Sequence, residues 1–293
     1  MGSRWLKLGC DFTYNSTGPI PTIFQVEPND PDRSTIHDAR WTSTPEMKLH
    51  TYSDLYGNPC TRVILPEGRS SFRYDALAEV PDQVEDYDED APELRAEDLP
   101  DDVLIYTLPS RYCLPDMLGG YAWEQFGNMA PGYKRVQAVC DFVNSHLTFQ
   151  YGSSGPTSTA LDVYTSGFGV CRDFTQLAIS FCRALNIPAR YVFGYLPEVD
   201  VPADPSPMDF AAWMEVWLGD RWWTFDPRNN ARRKGRVLIG RGRDASDVAM
   251  ATTFGGPQLE SMVVIAEETE LRPAGVSPAG ASPTGASPTG ASG

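Results

Sequence analysis

The chain has 293 residues, 41% of them apolar, and a formal net charge of −15. That is enough hydrocarbon for one large domain or two ordinary ones. A surface of this sign repels a phosphate backbone or an anionic bilayer, so neither nucleic acid nor membrane is expected as a partner.

The first ten residues, Met1 to Cys10, include Trp5 and Lys7 but no apolar run of signal-peptide length, and no later segment reaches spanning length, so the expected location is the cytoplasm. From Trp5 to about Tyr74, short alternating apolar runs such as Thr22 to Val26 and Thr61 to Leu65 are punctuated by Pro, Gly, Asn and Asp. This pattern predicts a β-sandwich or barrel over residues 1–80, with Tyr56-Gly57-Asn58 as a turn. Asp82 to Asp102 carries a run of acidic residues, read as a solvated linker over 81–110.

Residues 111–268 read as a second domain. Val136, Val139, Cys140 and Val143 recur at helical spacing between Tyr133 and Leu147. Asp173 to Leu185 presents Phe174, Leu177, Ala178, Phe181 and Leu185 on one face and stops at Asn186-Ile187-Pro188. A strand over Arg190 to Leu196 follows, then two β runs, Trp213 to Leu218 and Arg221 to Phe225, joined at Gly219-Asp220 as a hairpin. From Pro273 to Gly293 the chain repeats Gly-Ala-Ser-Pro-Thr with no charge and no large apolar residue beyond Val276, so residues 269–293 are expected to form a disordered tail.

The six cysteines are too sparse for a disulfide framework and lack paired metal-ligand spacing. Cys171 differs from the others. It follows Gly167-Phe168-Gly169-Val170 and precedes a long helix, where unpaired backbone amides favour a thiolate. Taken alone, that context divides evenly between a nucleophile and a small core residue.

Longer blocks decide more. Gly169 to Phe174, Ala184 to Val192, Asp209 to Val216 and Trp223 to Asp226, with Thr148 to Gly152 and Gly240 to Gly255, closely resemble the bacterial transglutaminase-like cysteine proteases, from about Trp5 to Val264. The resemblance implies an α+β fold: a papain-like transglutaminase core in which a helix bearing the cysteine packs on an antiparallel sheet, after an N-terminal β domain. It implies cysteine-dependent acyl transfer or amide hydrolysis through a thioester, with Cys171 as nucleophile, a histidine as general base and Asp226 orienting it. The histidine position is Ala211, and a methyl group can neither take nor return a proton. Asn229 is a further departure, where many relatives carry histidine. Gly169, Asp209 and Trp213 are candidate substrate-binding positions. His37 and His50 fall in the β domain, and His146 is read as a polar surface residue of a helix.

Ala211 admits three accounts: an engineered knockout, a natural member that kept only the binding cleft, or chemistry redirected to a carrier-bound thioester. A peptide, protein or carrier-bound acyl group is the expected partner. No cofactor or metal is implied.

Overall fold

A computed structural model describes residues 2–273, so the tail from 274 onward lies outside the described residues. Six strands come first: β1 (Ser3–Ser16), β2 (Ile20–Phe24), β3 (Thr35–Thr44), β4 (His50–Ser53), β5 (Pro59–Leu65) and β6 (Gly68–Pro81). Helices α1 (Pro115–Phe126) and α2 (Tyr133–His146), the short strand β7 (Thr148–Phe149), α3 (Ala160–Ser166) and β8 (Phe168–Gly169) follow. The chain continues through α4 (Cys171–Ala184), β9 (Ala189–Tyr195), β10 (Ala211–Leu218) and β11 (Arg221–Phe225), then β12 (Val237–Gly242), β13 (Ala251–Thr253) and β14 (Gln258–Glu268).

The alternation in β1 and β6 puts Leu6, Leu8, Cys10, Phe12 and Tyr14 on one buried face beside Phe72, Tyr74, Ala76, Ala78 and Val80. Gly9 falls on the opposite face of β1, where there is no room for a side chain: a β-carbon would lie 2.6 Å from the Tyr74 carbonyl. Opposite this sheet stands a second one, and the two meet through aromatic rings: Phe24 lies 5.0 Å from Phe12, 4.7 Å from Phe72 and 6.2 Å from Trp41, which stacks on Phe72 within the first sheet at 4.5 Å. The sandwich expected from the sequence is therefore present.

Its boundaries need correction. The strand orders are β14-β1-β6-β3 and β13-β2-β5-β4, so residues 251–268, assigned from sequence to the catalytic core, complete the N-terminal sheets. β14 runs antiparallel to β1 from Leu6↔Glu268 to Asn15↔Gln258, and β13 covers β2. Each thereby takes up the hydrogen-bonding edge that β1 and β2 would otherwise expose.

The acidic stretch is corrected as well, since it is partly buried. The Glu85 side chain is 5% exposed and paired with Arg236, and Glu93 is paired with Arg135, whose side chain is likewise 5% exposed. A run of carboxylates reads as solvated because sequence does not show which cations return to it from elsewhere in the chain.

Helix α4 is the centre of the other half. It touches α1, α2, α3, β9 and β10, and every residue from Asp173 to Arg183 is buried, polar ones included. Thr175 and Ser180 donate back to the Cys171 and Gln176 carbonyls at 2.9 and 2.7 Å. Arg183 spreads its guanidinium over the carbonyls of Leu108, Ala189 and Arg243. These bonds satisfy groups that would otherwise be costly to bury. The helix lies against the antiparallel sheet β11-β10-β9-β12, giving the α+β arrangement expected.

Candidate active site

The first turn of α4 is fixed from its third residue. The Asp173 carboxylate accepts the Val170 N–H at 2.8 Å and the Ser154 hydroxyl, so a charged acceptor occupies the positive end of the helix. This is half of a capping box, because Val170 has no side-chain acceptor to return the bond. Gly169 belongs to the same device. A β-carbon there would lie 2.8 Å from the Asp173 Cβ, so Gly169 makes room for the cap and does not line the cleft, against the substrate-binding role expected.

Cys171, the first residue of the helix, is partly exposed. Its Sγ lies 4.0 Å from the Phe210 carbonyl at the entry to β10 and opens on a cleft of about 270 Å³. Phe149, Tyr151, Met208, Asp209, Ala211, Arg228 and Asn229 line the cleft. Burial pushes the thiol up to about 11, and the Asp209 carboxylate adds to the effect. The backbone N–H groups of Ala212 and Arg172 and the Arg228 guanidinium oppose it. The helix start therefore does not favour the thiolate here, contrary to the expectation from sequence: desolvation and a like charge outweigh the N–H groups and the guanidinium that lower the thiol.

Cys171, Asp209 and Ala211 are brought together on this one cleft. Asp209 is fixed by its own chain, with Oδ1 accepting the Phe210 N–H at 2.7 Å, and burial raises its carboxyl above the usual range. Ala211 opens β10, pairing with Gly194. Along that strand Ala212, Met214 and Val216 turn into the main core shared with α4, whereas Ala211 sides with Trp213, Val192 and Leu238. Trp213, expected at the cleft wall, is 2% exposed within this second cluster, under the Arg236 guanidinium 4.9 Å from its ring. Strand alternation from Ala211 placed it there, one residue pair deeper than the cleft reaches.

Asp226 is buried and more heavily engaged than a simple orienting carboxylate. Its Oδ1 accepts the N–H groups of Arg228 and Asn229 at 3.1 and 2.9 Å, and its Oδ2 accepts Asn229 Nδ2 at 2.7 Å and Arg236 Nη2 at 2.6 Å. Burial would raise its pKa, but the Arg236 charge and the Asn229 donors win and hold it below the usual carboxylate range. It faces a neighbouring cavity with Glu85, Tyr133 and Arg236. Its link to the cysteine cleft is Asn229, which stands in that cleft with its Oδ1 accepting Arg228 Nη1 at 2.8 Å.

None of the three histidines lines the cleft. His37 and His50 lie on β3 and β4, and His146 is partly buried on α2, bonded to the Tyr164 carbonyl at 2.8 Å and stacked between Phe142 and Tyr164. Trp217, Trp222 and Trp223 lie away from the cleft too. Sequence reading missed Arg228 as a cleft residue; its guanidinium sits 4.2 Å over the Phe149 ring. The only available signal was its place two residues after Asp226. No group of three or more His, Cys, Asp or Glu side chains suits a metal among the described residues.

Residues 121–227 match the transglutaminase-like superfamily. A crystal structure from Cytophaga hutchinsonii, described as "a Putative Cysteine Protease", is similar at a TM-score of 0.82 and 31% identity, over 93% of each chain. An uncharacterised protein of Mycobacterium leprae is 34% identical over 142 residues, 47% of this chain and 50% of that one. An uncharacterised protein of Mycobacterium tuberculosis is 29% identical over 144 residues, 46% of each. The matches span about half the length of these curated relatives. The fold is that of a transglutaminase-like protein, and the chain belongs to the transglutaminase-like superfamily.

Proposed function

We propose that the protein performs cysteine-dependent acyl transfer through a thioester on Cys171, with donors that carry a good leaving group. The observation that supports this most directly is the Cys171 sulfur, held at the start of α4 and opening on a cleft beside the Ala212 and Arg172 N–H groups. In the proposed step the Cys171 thiolate attacks a carbonyl carbon, a C–S bond forms, and the carbonyl π electrons move to oxygen. Collapse of this tetrahedral species expels the leaving group and leaves an acyl-Cys171 thioester, which water or an amine then opens.

The missing imidazole limits the donor. An amide nitrogen must be protonated before it leaves, and no histidine lines the cleft to supply that proton. A thiol leaves as an anion and needs none, so a carrier-bound thioester is the better donor class than a peptide bond. A thiol at about 11 is ionised in roughly one molecule in ten thousand at pH 7. The higher basicity recovers about a factor of ten through greater intrinsic nucleophilicity. Turnover is therefore slow at neutral pH and rises with alkalinity.

The test is intact-protein mass measurement after exposure to an activated thioester. An acyl adduct on Cys171, lost in Cys171→Ala, supports the reading; no adduct even at pH 10 rejects it. A second reading, a peptide-binding module without turnover, draws on the protonated thiol and on Asp226 being held by Arg236. It requires peptide affinity unchanged in Cys171→Ala. Location in the cytoplasm, where free thiols persist, is part of the same proposal.

A further inference from the structure

We propose that β14 is an interface strand, whose outer edge pairs antiparallel with the same strand of a second copy of this chain about a two-fold axis at Val264. The cysteine cleft plays no part in this contact.

The sandwich has four edge strands, β14 and β3 in one sheet and β13 and β4 in the other. Three of them are blunted. β4 and β13 have only four and three residues, and β3 is broken by a bulge between His37 and Arg40. β14 has none of these protections. It runs for 11 residues without Pro, Gly or Lys, and from Ser261 to Glu268 it pairs with β1 without a break. Among the described residues no strand lies on its other side, so a row of backbone N–H and C=O groups is left open there. Beyond Glu268 the chain turns towards β1 and away from this edge: the Thr269 N–H donates to the Trp5 carbonyl, and Arg272 lies 5.1 Å from the Trp5 ring.

The residues along the edge fit a copy of themselves. Met262, Val263, Val264, Ile265 and Ala266 form an uncharged block, and Val263 is 54% exposed. In an antiparallel pair centred on Val264, that residue meets its own copy, Val263 meets Ile265, and Met262 meets Ala266, so every pair is apolar. The faces match as well. Val264 and Ala266 belong to the sandwich core and Met262 packs against it, so these pairs continue the core layer across the axis while Val263 and Ile265 cover the other face. Charge does not oppose the approach, because each flanking carboxylate is already paired within its own sheet: Glu260 with Arg69 at 2.9 Å, Glu267 with Lys7 at 3.2 Å and Glu268 with Arg4 at 2.9 Å. A block that is complementary to itself in one register is what an isologous two-fold contact requires, and this favours a second copy over a foreign peptide.

The test is sedimentation of the full chain between about 1 and 100 µM, the range in which a small interface exchanges. The parent is expected to dimerise within it. Val263→Lys puts a charge into the apolar block at a position already exposed, and is expected to raise the dissociation constant by about tenfold or more. Ile64→Lys, at a 60% exposed position of β5 in the other sheet, is expected to leave dimerisation unchanged. Circular dichroism checks that both variants fold. Register is read by a spin label on Leu259→Cys in a Cys171→Ala background, the other cysteines being buried. A pair centred on Val264 offsets the two labels by about ten residues of strand, roughly 30 Å. A parent still monomeric at about 100 µM overturns the inference, as does a dimer that survives Val263→Lys or one whose labels lie within about 10 Å, as parallel strands in register would place them. A monomer whose 262–266 amides all resist exchange would give the edge to another segment of the same chain, and overturns it too.

Discussion

Neutralising Glu85 is expected to destabilise the fold while leaving the chemistry of Cys171 untouched. Glu85 and Asp226 bracket Arg236, and the three side chains are 5%, 3% and 7% exposed. Glu85 also accepts the Arg233 N–H at 2.6 Å, so Glu85→Gln weakens two contacts of one carboxylate. Removing one partner of a buried ion pair costs about 3–5 kcal/mol because the remaining charge stays buried. Two details place this case at the low end. Asp226 remains to neutralise Arg236, and Arg236 Nη1 already has no partner among the described residues. With about 3 kcal/mol and roughly 2–4 °C per kcal/mol for a chain of this size, thermal melting should fall by about 6–12 °C. A double-mutant cycle with Asp226→Asn separates the coupling from the individual losses. The alkylation rate of Cys171 should stay within twofold of the parent, since Asn229 and its backbone bonds to Asp226 do not involve Glu85. A melting shift under 2 °C would refute the buried-triad reasoning, and slower alkylation would refute its independence from the cleft.

Other consequences are equally direct. Ala211→His should raise acylation of Cys171 at pH 7 by about a hundredfold or more, the ordinary contribution of a positioned base; an unchanged rate would mean that position 211 faces Trp213 too fully to reach the sulfur. Asp173→Ala removes the helix cap and leaves the Val170 N–H unpaired, an expected loss of about 1–2 kcal/mol in chemical denaturation. Alkaline stability follows from the buried thiols. Burial pushes Cys10, Cys113 and Cys182 up to about 12 from an unfolded value of 9.0, so the stability they contribute is complete below pH 9 and lost as pH rises towards 12. Asp226, held low, acts in the opposite sense: its contribution is present above the unfolded carboxylate value of 3.8 and lost as pH falls through its folded value. Equilibrium unfolding followed from pH 7 to 11 and from pH 7 to 3 measures both limbs.

Much of the architecture was legible in the residues. The spacing of Phe174, Leu177, Ala178, Phe181 and Leu185 specified α4 to within two residues at its start, and Asn186, at φ 65°, with Pro188 marked its end. Gly219, at φ 65°, marked the hairpin between β10 and β11. Such signals are local: one period, one cap or one turn sets them without reference to the rest of the chain. The motif placed Cys171, Asp209 and Ala211 on one cleft for the same reason, since each is fixed by the end of a single element.

What escaped the sequence depends on partners distant along the chain. Strands β13 and β14 read as part of the core they follow, and only the free edges of β1 and β2 assign them to the sandwich. Glu85 reads as one more charge in a solvated run until Arg236, 151 residues away, arrives beside it. Asp226 reads as an orienting carboxylate until the same arginine claims it. Most consequential is the sulfur itself. The sequence shows a helix start, which lowers a thiol pKa, but burial first and the charge of Asp209 second raise it further than the nearby N–H groups and Arg228 lower it. Periodicity and capping act over a few residues and can be read in order; desolvation and Coulomb interactions depend on distance in space, which exists only once the chain has folded.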